Sequence, residues 1–374
     1  MDLSNVRIRE HFGLISNDTH TGQFCFLVSP PKNKGSVEKH DYVLIDHPLF
    51  GELCQVLAVI TDISSYEEVA GSTIGDKMGK MLATAKIEGY IDLRNDNRPM
   101  GKVLVPPNPG GRVYIPLKKF LEDVLNRNAK GEVFKVPIQI GTFEGSSAHE
   151  QDSSGSIKCF IDGQEFTSKH AIITAVAGAG NTHTAKLLIQ EIYRKAPCQI
   201  IVFDPYNEYS DALETDVKAV VINSKMDKDS LMKEIKRVQI SIINGYGLSP
   251  KEKWSFYIET LQMLLKLRLE DKSKPLFLII EEAETLKGEV LNQLVAEGRK
   301  VGIFVCLLTT NPAELGGKIL SQMGYQIMGK ITNKEDIDYL SNIVGSTNAL
   351  PDLAVGEWII NGTSNNRPMK FRLS

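Results

Sequence analysis

The runs AIITAV (171–176), QIIVFD (199–204), PLFLII (275–280) and GIFVCLLTT (302–310) carry almost no polar side chain. Strands that read this way are buried on both faces, which happens where helices cover both sides of a parallel sheet. KAVVIN (218–223) and VQISIING (238–245) have the same character. Helix-patterned segments separate them. TAKLLIQEIYRK follows the first run, and SPKEKWSFYIETLQMLLKLRLE precedes PLFLII. The latter opens with Ser249 as N-cap, Pro250 at the first helical position and Glu252 closing a capping box. Trp254, Tyr257, Ile258, Leu261, Leu264 and Leu265 form one apolar stripe along it. From about Phe160 the chain therefore reads as α/β with a central, mostly parallel sheet.

Ahead of it the pattern is different. QFCFLVSP (23–30), DYVLID (41–46), ELCQVLAVITDI (52–63) and MLATAKIEGYID (81–92) are β-rich runs separated by Pro, Gly, Asn and Asp. Short strands with turn signals predict a small barrel or sandwich. VPPNPGGRV (105–113) is the strongest breaker, so the expected domains are 1–112 and 113–374. TFEGSSAHEQDSSGS (142–156) is an expected exposed loop. The 374 residues suffice for two cores. A net charge of -3 gives no global basic field for nucleic acid, although a ring can confine positive charge to its inner surface. The five cysteines form no Cys-x-x-Cys pair, which fits a reducing, cytoplasmic setting. No signal peptide and no run near the roughly 20 apolar residues of a membrane span is expected.

The segment AVAGAGNTHT (175–184) has the form of a phosphate loop between a strand and a helix. Such a loop reads Gly-x-x-x-x-Gly-Lys-Ser/Thr: its backbone N–H groups surround phosphate, its lysine contacts the β and γ phosphates, and its hydroxyl holds magnesium. Here the first glycine is Ala175; Gly178, Ala179 and Gly180 form the turn; Asn181 replaces the lysine; Thr182 keeps the hydroxyl. Asn181 donates a hydrogen bond but brings no charge, and charge-assisted bonds are about twice as strong as neutral ones. Lys186 lies a turn too far along the helix to substitute. His183, when protonated, can donate to phosphate, and is otherwise a polar helix-start residue. A dinucleotide reading competes, with Gly178-x-Gly180 and Asp204 at the end of the next strand, but His183 occupies the third glycine position. A tight glycine turn without a ligand is the remaining alternative.

PLFLIIEEAETL ends an apolar strand in Glu281 and Glu282. This is the shape of a Walker B element, in which one acidic residue acts at the metal and the next polarises the attacking water. An acidic helix start is the plainer explanation. Taken with VFDPYNEY (202–209), IIEEAE (279–284), EGRKVGI (297–303), TTNP (309–312) and VGEWIINGTSNNRPMKFRL (355–373), the chain resembles the HerA-type ATPases of the HerA/FtsK group over nearly its whole length. In that family these segments read Asp-Pro-His-Gly-Glu-Tyr, Asp-Glu-Ala-His, Glu-Gly-Arg-Lys-x-Gly and Ser-Gln-Arg-Pro, followed by a C-terminal strand pair.

The resemblance implies an N-terminal β-barrel and a RecA-like P-loop NTPase domain. It also implies ATP and magnesium as cofactors, DNA translocation or repair-helicase chemistry as in the archaeal members, and a homo-hexamer or hetero-ring with DNA and a NurA-like nuclease as partners. By the same match, Glu282, Glu281 and Arg299 are the expected catalytic residues, with Lys300 as second choice for the arginine given to a ring neighbour. Gly178, Ala179, Gly180, Asn181, Thr182, His183, Asp204, Glu208 and Thr310 would contact nucleotide, and Thr182 and Glu281 the metal. The chain departs from the family at Asn181, Glu281, Tyr206, Asn207, Thr310 and Asn311. The expectation is a ring-forming, DNA-processing homologue with weakened or absent nucleotide use; the alternative is an inactive scaffold or regulatory subunit.

Overall fold

The computed structural model describes residues 3–8, 11–28, 37–66, 80–143, 156–270, 275–286, 288–344, 347–362 and 368–373. Most of the loop expected at 142–156 lies outside them. The chain divides into two compact units, residues 1–134 with 142–159, and residues 135–141 with 160–374.

The first unit is built on β1 (Gly13–Thr19), β2 (Gln23–Val28), β3 (Tyr42–His47), β4 (Gly51–Tyr66), β5 (Lys80–Asp92), β6 (Met100–Gly101) and β7 (Arg112–Tyr114), followed by α1 (Lys118–Leu125). Their order is β2-β1-β7-β3-β4-β5-β6, and β2 also pairs with β5. The first half of β5 joins β2 from Met81↔Val28 to Lys86↔Gln23, so six antiparallel strands close on themselves; its second half carries β6. Closure leaves no exposed sheet edge around the ring. The interior is filled by Phe12, Phe24, Phe26, Val43, Ile45, Val56, Ala58, Ala83, Ala85 and Val113. The breaker at 105–113 leads into β7, which inserts between β1 and β3 and completes the ring.

The long sheet, which lies in the other unit but for residues 142–143 of β8 and 158–159 of β9, contains β8 (Pro137–Phe143), β9 (Lys158–Asp162), β10 (Ala171–Thr174), β11 (Gln199–Asp204), β12 (Val220–Asn223), β13 (Ile240–Asn244), β14 (Leu276–Ile280), β15 (Ile303–Thr309), β16 (Tyr325–Met328), β17 (Glu357–Asn361) and β18 (Met369–Arg372). Its order is β12-β13-β11-β14-β15-β10-β16-β17-β18-β8-β9. Strands from β12 to β16 run parallel, and β17 and β18 add antiparallel. The apolar runs of the sequence are these parallel strands; every residue of β10, β14 and β16 is buried.

The connecting helices are α2 (Gly163–Phe166), α3 (Asn181–Lys195), α4 (Ser210–Val217), α5 (Lys228–Arg237), α6 (Pro250–Glu270), α7 (Glu289–Glu297), α8 (Gly317–Leu320) and α9 (Lys334–Val344). The capping box of α6 forms as the sequence predicts: Ser249 N–H donates to Glu252 at 3.0 Å, and Glu252 N–H donates back to Ser249 Oγ at 3.4 Å. Tyr257, Leu261 and Leu264 of its stripe are buried in the core. All five cysteines are buried. Among the described residues, no helix is long and apolar enough to cross a membrane.

Candidate functional site

Parallel sheets bind ligands where strands end at their carboxyl edge, and the segments singled out by sequence meet there, after β10, β11, β14 and β15. β10 passes into the glycine turn. Val176 N–H donates to Lys330 O at 2.8 Å and Gly329 N–H to Thr174 O at 2.9 Å, so the end of β16 holds the start of the loop. Gly178 has φ 79° and Gly180 φ 110°, left-handed values that glycine adopts without strain. Trp358 of β17 is completely buried under the turn; a Cβ at Gly329 would come within 3.1 Å of its ring, and one at Gly180 within 3.7 Å. Its indole N–H has no partner among the described residues.

Asn181 does not point its amide outward as a substitute for lysine. Its Nδ2 donates to Ala175 O at 3.0 Å, tying the two ends of the loop together, while its buried Oδ1 has no partner among the described residues. Thr184 continues the helix start with both its N–H and its Oγ1 donating to Gly180 O at 2.9 Å. His183 is exposed. Lys186 does not reach the turn; its Nζ lies 5.5 Å from the centre of the Tyr209 ring.

After β11 the chain folds around Asp204, which is wholly buried. Its Oδ1 accepts from Tyr206 N–H at 3.3 Å and Glu208 N–H at 3.0 Å, and its Oδ2 from Tyr209 N–H at 3.0 Å. Asp204 thus shapes a loop through backbone bonds rather than presenting a carboxylate to a ribose, which removes the observation on which the dinucleotide reading rested. Asn207 sits at φ 63°, a left-handed conformation asparagine tolerates, and its Oδ1 accepts from Ser210 Oγ at 2.8 Å and from Asn244 Nδ2. Glu208 is exposed.

This loop delivers two phenols to the acidic pair. Tyr209, fully buried, donates to Glu281 Oε1, and Tyr206, half exposed, donates to Glu282 Oε2 at 2.6 Å. The Thr182 side chain also bonds Glu281. Burial pushes the Glu281 carboxyl up to about 7; the bonds from Tyr209 and Thr182 favour the carboxylate but only partly offset burial, and Glu208 and Asp204 add like charge. The Tyr206 phenol is pushed up to about 12, first by its bond to Glu282 and then by burial. Glu282 itself has φ 47°.

Glu284, two residues on, is buried and bonded to the Thr309 side chain and Thr310 backbone, so the acidic segment is joined to the end of β15. Burial raises its carboxyl, and its Oε2 has no partner among the described residues. Thr310 is exposed.

Arg299 and Lys300 are exposed in a short turn after α7. Among the described residues neither is bonded to the loop, the phenols or the acidic pair. Thr182, Glu281, Glu282 and Asp204 are therefore linked within one network, and His183, Glu208 and Thr310 are exposed; Arg299, which acts on His170 before β10, lies toward the amino ends of the strands and not in this network. Sequence reasoning left Tyr206, Tyr209, Glu284 and Trp358 out of the site. The two tyrosines were visible in VFDPYNEY; nothing local in the sequence indicated Trp358, which reaches the loop from the other end of the unit.

Strand, glycine turn, helix and acidic strand end define the second unit as a RecA-like P-loop domain, preceded in the chain by a β-barrel unit. Residues 138–300 match the family described as Helicase HerA, central domain. A probable helicase of Methanocaldococcus jannaschii is 22% identical, covering 83% of this chain and 84% of the relative. The DNA double-strand break repair helicase HerA of Sulfolobus acidocaldarius is 29% identical over 34% of this chain and 28% of its own length. VirB4 of Thermoanaerobacter pseudethanolicus superposes with a TM-score of 0.48 at 12% identity, covering 64% of this chain and 96% of VirB4. Over the matched residues the chain is similar to the HerA-type helicases.

Proposed function

We propose that this protein is a ring-forming, DNA-processing ATPase homologue whose nucleotide use is weakened by the loss of the phosphate-loop lysine. The observation that supports it most directly is the linked set Thr182–Glu281–Tyr209–Asp204 beside an intact glycine turn. That set keeps the architecture of a magnesium–nucleotide site while Asn181 turns inward to Ala175. Thr182 and Glu281 offer only oxygen donors, which suits magnesium bridging to phosphate. When bound, the ion neutralises charge on the transferring phosphoryl group. The turn's backbone N–H groups and the start of α3 would hold phosphate oxygens, and Glu282 would orient the attacking water. Arg299, with Lys300 as second choice, would act on the nucleotide of a neighbouring subunit; their exposure supports this reading. DNA in the ring and a NurA-like nuclease are the proposed partners.

The second reading is a catalytically inactive scaffold or regulatory ring subunit. The inward bond of Asn181 favours it, because like charges already act on one another here, Asp204 and Glu208 on Glu281 and Glu282 on Glu284, and the loop offers no cation against them. Calorimetry with magnesium and ATP, together with phosphate release, separates the two. The first reading expects weak binding and slow release that Glu282→Gln abolishes, with both binding and release increased by Asn181→Lys. Absence of binding in both the native chain and Asn181→Lys leaves the scaffold.

A further inference from the structure

Tyr206 stands out because an exposed aromatic side chain is fixed so firmly. Its ring is 50% exposed, yet the loop beneath it is held at every residue. Asp204 takes the Tyr206, Glu208 and Tyr209 N–H groups, and Asn207, in its left-handed conformation, is clasped by Ser210 and Asn244. Lys253 of α6 donates to Pro205 O at 3.0 Å and places its Nζ 4.8 Å from the Tyr206 ring centre, a cation–π contact on the ring face. The product of all these contacts is a single directed bond, from the Tyr206 hydroxyl to Glu282 Oε2 at 2.6 Å.

We propose that Tyr206 is a latch on Glu282, a positioning residue that holds this carboxylate away from water and keeps the site in a low-turnover state until the phenol is displaced. The proposal rests on the reading of the segment as a nucleotide site. A carboxylate orients an attacking water with a lone pair aimed at it; the short bond from the phenol takes an acceptor site on Oε2 and fixes the direction in which the carboxylate points. The two tyrosines differ in what they allow. Tyr209 is completely buried, so releasing Glu281 would require opening the core. Tyr206 is half exposed, so its side chain can turn into solvent once its bond to Glu282 and its contact with Lys253 break. Glu282 is the movable partner of an exposed phenol, Glu281 the fixed partner of a buried one.

The test uses the full chain with magnesium and ATP, in both the native and the Asn181→Lys backgrounds, with calorimetry for affinity and phosphate release for kcat and KM. Tyr206→Phe removes only the hydroxyl. The expected result is a rise of about tenfold in kcat at unchanged KM, the size of one hydrogen bond released from a carboxylate. The rise should vanish when Glu282→Gln is added. Unchanged or lower kcat in Tyr206→Phe in both backgrounds, or a rise that persists with Glu282→Gln, overturns the latch while leaving the nucleotide reading in place. Failure of both backgrounds to bind nucleotide overturns the nucleotide reading and the latch with it. Tyr206→Leu, which lacks both hydroxyl and ring, should behave like Tyr206→Phe in kcat; activity at the native level in it counts equally against the latch.

Discussion

At the scale of single residues, the site is governed by where a few polar atoms find partners. Asp204 is the clearest case. Its buried carboxylate accepts three backbone N–H groups, and Asp204→Ala would leave them without partners in the interior. We expect a loss of about 3 kcal/mol, read as a lower denaturant midpoint; a change below about 1 kcal/mol would mean that water replaces the carboxylate. Glu281 makes a prediction in pH. Its carboxyl is pushed up to about 7, so near pH 6 it is mostly protonated and near pH 8 mostly ionised. A magnesium ligand must be ionised, so magnesium-dependent nucleotide affinity should rise by about tenfold from pH 6 to pH 8. The same titration with EDTA, or in Glu281→Gln, should be flat; an equal slope in either would place the titrating group elsewhere. Asn181 shows how far a residue can be understood from sequence. Loss of the lysine charge was legible in the letter itself, whereas the turn of its amide toward Ala175 was not, because that bond depends on the path of the loop.

At the scale of elements, one buried histidine holds the phosphate-loop strand in place. His170, just before β10, accepts Val305 N–H at Nδ1 (3.0 Å) and therefore donates from Nε2 to Val295 O (3.1 Å), stitching β10 to β15 and α7. Burial, with a smaller effect from Arg299, lowers it to about 4 from 6.5. Between those values the unfolded chain binds the proton and the folded chain does not, so stability is full above pH 6.5 and is lost as pH falls toward 4. The loss is about 3 kcal/mol. Glu281 has the opposite sign, since its raised carboxyl favours the folded chain at acid pH and that contribution is lost as pH rises through 7. Comparing Glu281→Gln with Glu281→Gln/His170→Gln in urea at pH 7 and pH 4.5 isolates the histidine; equal slopes would show that His170 titrates normally. In the barrel, Arg7 is buried against Asp46 (2.5 Å) and Gln55 (2.9 Å), with its guanidinium 3.5 Å from the Tyr114 ring centre. Arg7→Met keeps the volume but removes the charge from Asp46, which is about one-third exposed; a cost of about 2 kcal/mol in thermal or urea unfolding is expected. A neutral outcome would show that the packing of the stem, not the pair, carries its weight. The long barrel strands were readable from their composition. β1 and β7 were not, because β1 is largely polar on its outer face and β7 has only three residues, so each is a strand by virtue of its neighbours.

At the scale of the whole molecule, the proposed ring is the main prediction. Native mass spectrometry at micromolar concentration should show a multiple of the 41.5 kDa chain, a hexamer under the homo-ring reading. A monomer at that concentration would remove the ring and, with it, the role given to Arg299. The sequence by itself determined the parallel sheet, because apolar strands of this kind can be covered only by helices on both faces. It determined the glycine turn and the missing cation, since each depends on what one residue can or cannot do wherever it is placed. It also carried the order of segments by which the chain resembles the HerA-like ATPases. The tertiary structure decided what those residues touch. Trp358 lies beneath a turn that is 178 residues earlier at Gly180, β7 closes a ring whose other strands lie far from it in sequence, and two tyrosines meet two glutamates across a gap of more than seventy positions. Periodicity and composition report on neighbours along the chain. Hydrogen bonds of this kind are made between loops that only the completed sheet brings to one edge.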